Sequence, residues 1–362
     1  MPRQSQAKRI DKIDRNFKAA KVGDHDVVFH DATDKPFALT GFPWYQKEKV
    51  LCRLPVDSLS KMERINEGAW HTAGGMVRFR SNSPVVAVKV KLRSPWDMSH
   101  MPRTGSAGVD LYLGRGPKQT FAGVSIPPAG KESYEAMLFA HPEGDTAMRD
   151  WTLNLPLYNG VEQIHVGLAP GAKLQRPAPF TVRKPILFYG GSICQGGCAS
   201  RPANSYASIL AKRVDAPLIN LGFSGSAMLE PIMADLIASL DLSVFVMDTM
   251  NVSLEQKKER HEPFFLKIRE QHPDLPVVLS CRADWKPDPA HHRARRSVVM
   301  RTYKNALKRG DKRVYFADAK NAFGKDYEHC TVDGCHPNDL GFMRIADTYD
   351  PYVRKAIRLA KP

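Results

Sequence analysis

Phe188-Tyr189-Gly190-Gly191-Ser192-Ile193-Cys194-Gln195-Gly196-Gly197 is the stretch on which the fold of this chain turns. Ahead of it, Pro185-Ile186-Leu187-Phe188-Tyr189 is a short apolar and aromatic run of strand type. Behind it, Asn204 to Val214 carries apolar residues at 206, 209, 210 and 214, a helical spacing. A serine between glycines therefore stands where a buried strand stops. Two readings compete. In one, Ser192 is a nucleophile raised on a tight turn, with glycines removing the Cβ clashes. In the other, the stretch is an ordinary glycine-rich connection, and the remainder of the chain has to decide.

After Lys184 strands and helices alternate. Leu218–Leu221, Val244–Met247, Val277–Leu279 and Val314–Ala317 read as further short strands. Between and after them, 227–240, His261–Gln271, Ser297–Lys308 and Leu340–Ile357 have helical periodicity. Five apolar strands separated by helices imply a parallel, doubly wound α/β sheet, which gathers the loops after its strands along one ligand-binding edge.

From about 25 to 175 the texture is β instead. Met76–Arg80 and Val85–Leu92 alternate around a Ser81-Asn82-Ser83-Pro84 turn, which reads as a hairpin. Val27–Phe29, Val109–Leu113, Thr120–Ile126, Ala136–Ala140, Trp151–Leu155 and Gln163–Leu168 read as further strands. Short strands at such regular spacing predict an antiparallel sandwich. The long loop Ser94–Ala107 holds Trp96, His100 and Arg103, and long ordered loops are often functional. Trp70 and Trp96 could stack on a sugar face, although core aromatics are the commoner case.

A chain of 362 residues exceeds the usual limit of a single core, so two domains are expected. The division reads as a basic tail over 1–24, a β-sandwich over 25–175, a Pro/Gly/Ala-rich linker over 176–184 and the α/β domain over 185–362. No stretch is apolar enough to span a membrane, and the first residues lack the apolar core of a secretory signal, so a cytoplasmic protein is expected. The net charge of +15 is concentrated in two places. The first 24 residues hold seven Lys/Arg against three Asp/Glu, and residues 286–313 hold ten against two. No nucleic-acid-binding motif accompanies them, so a solvated helix face and a basic tail are favoured over a polyanion site, and no nucleic-acid partner is expected. Six cysteines are too few for a disulfide scaffold. Cys194, Cys198, Cys330 and Cys335, with His329 and His336, lack the spacing of a zinc ribbon, so neither a metal nor another cofactor is expected.

The chemistry-bearing residues fall in the loops at the predicted sheet edge. They are Ser192, the Gly222-Phe223-Ser224-Gly225 run, Asp248-Thr249-Met250-Asn251 and Asp333-Gly334-Cys335-His336-Pro337. Acyl transfer needs this inventory. A serine hydroxyl is a poor nucleophile until a base, here His336, takes its proton. Asp333 would fix the imidazole tautomer and balance the imidazolium. The amides of Ser192 and Gly222 and the carboxamide of Asn251 would hold the oxyanion.

On these blocks the chain resembles the SGNH or GDSL-like hydrolases, a superfamily of esterases and acylhydrolases. Tyr189–Ile193, Asn220–Gly225, Asp248–Asn251 and Asp333–Pro337 follow one another as the superfamily's ordered blocks do. The resemblance implies a flavodoxin-like three-layer domain with the roles just given. Gly190-Gly191-Ser192 lacks the aspartate usual in the wider superfamily, and Asp-Thr-Met-Asn stands where Gly-x-Asn-Asp is common. Gly108-Val109-Asp110-Leu111-Tyr112 matches the motif that names an added N-terminal domain in one subfamily. In related two-domain enzymes that domain is jelly-roll-like and packs near the site, which implies that Ser94–Ala107 helps wall the pocket, with Trp96 and Arg103 as candidate substrate contacts. The expected function is a serine esterase removing an O-acyl group, acetyl among the candidates, from a carbohydrate or other small-molecule polyol. An acyltransferase using the same residues is the alternative. A non-catalytic acyl-, sugar- or polyanion-binding protein ranks below both.

Overall fold

The computed structural model describes residues 19–249, 252–283 and 289–360. Its first half holds β1 (Ala19–Val22), β2 (His25–Asp31), β3 (Ala38–Thr40), β4 (Met76–Ser81), β5 (Val85–Leu92), β6 (Asp110–Leu113), β7 (Thr120–Val124), β8 (Ser133–Ala140), β9 (Arg149–Asn154), β10 (Val161–Leu168) and β11 (Leu174–Gln175). They form two antiparallel sheets, ordered β1-β2-β10-β5-β8 and β11-β4-β9-β6-β7, with β3 on the edge of β4. Strand β5 shows why these residues make a sandwich. Val86, Val88, Val90 and Leu92 enter a core shared with Val77, Phe79, Leu111, Trp151 and Leu153 of the facing sheet. Val85 and Ala87 turn to the opposite face to meet Val22 and Val27. Lys89 and Lys91 stay in solvent, paired with Glu135 at 3.0 Å and Glu162 at 2.7 Å. Side chains at period two thus serve two environments.

The hairpin expected around Ser81–Pro84 is absent among the described residues. β4 and β5 belong to different sheets, and the turn carries the chain across the sandwich. Its polar groups are used as at a corner. Ser83 Oγ donates to Val85 O at 2.5 Å and accepts from the Ala169 amide at 2.9 Å, and Asn82 Oδ1 accepts from the Lys173 amide at 2.7 Å. Both strands have a face that needs the same core, and a hairpin would put both in one sheet.

The second half holds β12 (Ile186–Gly190), β13 (Leu218–Gly222), β14 (Val244–Asp248), β15 (Val277–Ser280) and β16 (Val314–Ala317). All are parallel and nearly all their residues are buried, in the order β13-β12-β14-β15-β16. This is the doubly wound order in which the chain steps to one side of its first strand and then crosses back to continue on the other. Helices Tyr206–Val214 and Asp339–Ala360 pack together, and Pro231–Ala238, Leu254–Gln271 and Pro289–Lys308 pack in series. The helix pattern read from the sequence is met, with longer N-terminal ends at 254 and 289.

The connection between the halves is not free chain. Phe180 lies under the Arg78 guanidinium at 3.8 Å, and Asp215 Oδ2 accepts from the Thr181 amide and hydroxyl at 3.0 and 2.7 Å. Side chains between Cys52 and Ala73 also leave the sandwich to pack against the parallel sheet. Three arginines of the basic segment are paired with carboxylates: Arg296 with Asp318, Arg309 with Glu262 at 2.6 Å, and Arg313 with Asp274 at 3.4 Å. No helix among the described residues is long and apolar enough to cross a membrane.

Candidate active site

β12 ends against β14 so closely that a Cβ on Gly190 would lie 2.2 Å from the Asp248 carbonyl oxygen. Only glycine fits, and the chain leaves the sheet edge at once into the one-turn helix Ser192–Gln195. Ser192 opens that turn with 8% of its surface accessible. Its Oγ lies 2.9 Å from His336 Nε2. Its carbonyl accepts from the Gly197 amide at 2.8 Å and the Tyr158 hydroxyl at 3.2 Å.

His336 closes a turn that its own aspartate builds. Asp333 Oδ1 accepts from the amides of Cys335 and His336 at 2.9 and 2.7 Å, and Gly334 in between takes φ +79°. Asp333 Oδ2 is left for His336 Nδ1, at 2.7 Å. Partial burial would raise the Asp333 pKa, but the His336 amide and imidazole and the Cys335 amide outweigh it and bring the group to about 2. Just beyond, Asp339 accepts from the Ser200 amide at 2.9 Å and from Asn204 Nδ2 at 2.8 Å, so the loop after Ser192 is tied to the helix after His336.

The structure thus brings Ser192, His336 and Asp333 into one hydrogen-bonded line from loops far apart in sequence. Gly222 does not join it. The Gly222 N–H is already donated to Asn220 Oδ1 at 2.8 Å. A Cβ there would lie 2.2 Å from the Gln195 nitrogen, so the second block needs its glycine to let β13 pass under the Ser192 turn. Asn251 lies outside the described residues. Trp96 is exposed, with its indole N–H donated to Tyr158 O at 2.7 Å and its ring over His71, centroids 6.0 Å apart. Arg103 gives both faces of its fork to Asp97, at 2.7 Å each, and shapes its own loop. That loop does reach the site's surroundings: Thr104 Oγ1 donates to Ser200 O at 2.5 Å.

Several residues around the site carried no sequence signal. Gln195 is fully buried and spends both amide protons, on Leu157 O and His71 Nδ1, each at 2.9 Å, while its oxygen accepts from the Ser224 amide at 2.9 Å. Burial, then the nearby Arg53 charge, lowers the His71 pKa to about 3, so His71 is a neutral acceptor. Arg53 is itself fully buried. It donates to Asn220 O at 2.8 Å, Gly222 O at 2.7 Å and Gly68 O at 2.6 Å, its guanidinium 4.5 Å above the Phe223 ring. The Asp of the Gly108–Tyr112 motif also points across: Asp110 accepts from Asn154 Nδ2 at 2.8 Å and from the Ala203 amide at 3.0 Å. All six cysteines are free thiols. Cys194 is buried under the Ser192 turn and its thiol is pushed well up by that burial.

Residues 183–354 match the GDSL-like Lipase/Acylhydrolase family, and residues 27–174 match the N-terminus of Esterase_SGNH_hydro-type. Among solved structures, a Bacteroides ovatus protein described as a GDSL-like lipase is 28% identical, with TM-score 0.82 over 92% of this chain and 98% of that one. A salicylyl-acyltransferase from a tetracycline biosynthetic pathway is 20% identical, with TM-score 0.74 over 91% and 97%. A family two carbohydrate esterase from Clostridium thermocellum, solved with cellohexaose, is 14% identical, with TM-score 0.61 over 79% and 94%. No curated protein matches the sequence.

Proposed function

This chain belongs to the GDSL-like lipase/acylhydrolase family by its two matched segments, and we propose that it is a serine esterase that removes an O-acyl group, acetyl in the simplest case, from a carbohydrate or related polyol. The observation that carries the reading is the line Ser192 Oγ–His336 Nε2–His336 Nδ1–Asp333 Oδ2, at 2.9 and 2.7 Å. As Oγ attacks the acyl carbonyl, its proton passes to Nε2. Asp333, ionised far below neutral pH, balances the imidazolium and holds the tautomer that leaves Nε2 free to accept. Collapse of the tetrahedral adduct expels the alcohol, which takes the proton back from Nε2 and leaves the acyl group on Ser192. Water, deprotonated by the same nitrogen, then frees the acid.

For the oxyanion we assign the Ser192 amide and Asn251. In place of Gly222 we assign Gly225, exposed on the turn whose Ser224 amide is fixed by Gln195. The sandwich is read as the jelly-roll-like partner of such enzymes. Trp96, exposed and backed by His71 and Tyr158, is the surface on which a sugar ring would stack. The carbohydrate esterase and the acyltransferase that share this fold make sugar esters and acceptor alcohols the substrates to try first. Transfer to a small-molecule hydroxyl is the second reading, because the same line of residues would serve it.

Wild type and Ser192→Ala are compared on p-nitrophenyl acetate, on longer esters and on an acetylated oligosaccharide, with and without added alcohols. Wild type is expected to exceed the variant by at least about 10³-fold in kcat. Equal rates would remove the esterase reading. Faster turnover with an alcohol, and a new ester among the products, would move the assignment to transferase.

A further inference from the structure

Hydrolysis does not account for what stands around His336. Three side chains from three segments converge there: His100 of the 94–107 loop, Cys198 of the loop after Ser192, and His336. One ligand atom from each lies within 4.8 Å of the other two. The imidazoles of His100 and His336 have centroids 5.6 Å apart. Because Asp333 holds Nδ1 of His336, the nitrogen left for a ligand is Nε2, the one that faces Ser192 Oγ. Cys198 is nearly buried and sits at φ +75°, a conformation a cysteine adopts only when its surroundings impose it.

Two imidazoles and one thiolate are ligands of borderline-soft divalent ions, and Mg²⁺ and Ca²⁺ take oxygen ligands instead. A tetrahedral site at bond lengths of about 2.0–2.3 Å needs donor atoms about 3.5 Å apart. Closing from 4.8 Å to that spread asks for about 1 Å of side-chain adjustment, which a half-buried His100 on a loop can make. The carboxylate behind His336 Nδ1 is the support that metal-binding histidines usually have.

We propose that His100, Cys198 and His336 form a binding site for a zinc-like divalent ion, and that its occupation switches the enzyme off. Coordination engages Nε2, the atom that would take the Ser192 proton, so metal and catalysis exclude one another. Cys198 binds as thiolate and its proton goes to solvent. The fourth position falls to water or to Ser192 Oγ. The inhibitory half of the proposal rests on His336 being the base; the binding half does not.

The test uses the full chain, stripped with EDTA and desalted. Calorimetric titration with zinc chloride is expected to give one equivalent bound. His100→Ala and Cys198→Ser should each weaken that binding at least about tenfold, since each removes one of three ligands. Cobalt(II) should give a thiolate charge-transfer band in wild type that Cys198→Ser lacks. Ester hydrolysis by wild type should fall with a midpoint at the zinc Kd and return with EDTA, while both variants stay active at that zinc concentration and magnesium has no effect. No stoichiometric binding, or binding unchanged in both variants, would overturn the site. Zinc binding with the expected losses, in a protein that hydrolyses no ester, would uphold the site and count against the esterase reading alone.

Discussion

At the scale of single residues, Asp333 is the clearest case of a side chain whose atoms are fully assigned. One oxygen is held by two backbone N–H groups and the other faces His336 Nδ1. In Asp333→Asn the amide oxygen would keep the two backbone donors, because an NH₂ there would meet them donor to donor. The NH₂ would then face Nδ1 and force the proton onto Nε2, where it cannot accept from Ser192. An unchanged fold with kcat lowered about 10³–10⁴-fold is expected, measured on p-nitrophenyl acetate with circular dichroism as the control. A loss below about tenfold would mean that Asp333 only shapes the turn. Because the Asp333 pKa is depressed to about 2, its carboxylate stays charged as pH falls from 7 to 4. Any acid limb of activity in that range therefore belongs to another group. Ser192, Asp333 and His336 could be picked from the sequence because each stands in a short glycine- or proline-marked loop. Arg53 and His71 could not. An arginine that ends on Gly222 O, 169 residues away, leaves no local trace in the chain.

At the scale of elements, two of the contacts that fasten the strand-rich half to the loops of the site can be tested. Arg53 holds the carbonyls at the end of β13 with no carboxylate partner among the described residues. Arg53→Met would leave those buried carbonyls unpaired, at a cost on the order of 3–5 kcal/mol read from urea unfolding. A loss under about 1 kcal/mol would show that water takes over the three bonds. Asp110, fully buried on β6, is raised to about 6 by that burial, against the pull of the Ala203 amide, Asn154 and the Arg201 guanidinium 3.7 Å away. The folded state therefore holds this proton more tightly than the unfolded chain, whose aspartate titrates near about 3.9. The sign follows: stability from Asp110 is greatest below about pH 4, declines as pH rises to about 6 and is flat beyond. The Tm of wild type minus that of Asp110→Asn should fall over that window in a pH series, and a rise would show that Arg201 and the two N–H donors hold Asp110 ionised. Most of the sandwich strands were legible in the sequence, but β1, inside the segment read as a basic tail, and the short β3 and β11 were not, and neither were the strands' partners. The turn at Ser81–Pro84 has the composition of a hairpin and serves as a corner, because the sheet a strand joins is set by side chains far along the chain. Gly222 is ambiguous in the sequence for a similar reason. A glycine beside a site can be there to donate its amide or to give room, and only the neighbour at 2.2 Å distinguishes the two.

At the scale of the whole molecule, the families divide the chain between residues 174 and 183, but the packing does not. Leu54, Leu59, Met62, Ile65, Ala69, Leu157 and Tyr158 belong to the same buried cluster as Ile186–Tyr189 and Leu218–Leu221. They come from the strand-rich half and leave its own sandwich core to cover the parallel sheet. Each such aliphatic or aromatic side chain is worth about 1.5–3 kcal/mol when buried. Half a dozen of them reach the order of 10 kcal/mol, the size of a domain's whole stability. Removing them would also leave Gln195, at the end of the Ser192 turn, without His71 and Leu157. Residues 183–362 produced alone are therefore expected to aggregate or to stay partly unfolded and to lack esterase activity, whereas the full chain should unfold in a single calorimetric transition. Size-exclusion chromatography, scanning calorimetry and hydrolysis of p-nitrophenyl acetate test this together. A monomeric, active 183–362 fragment, or two separate transitions in the full chain, would show that the sandwich is an appended module and not the other wall of one core.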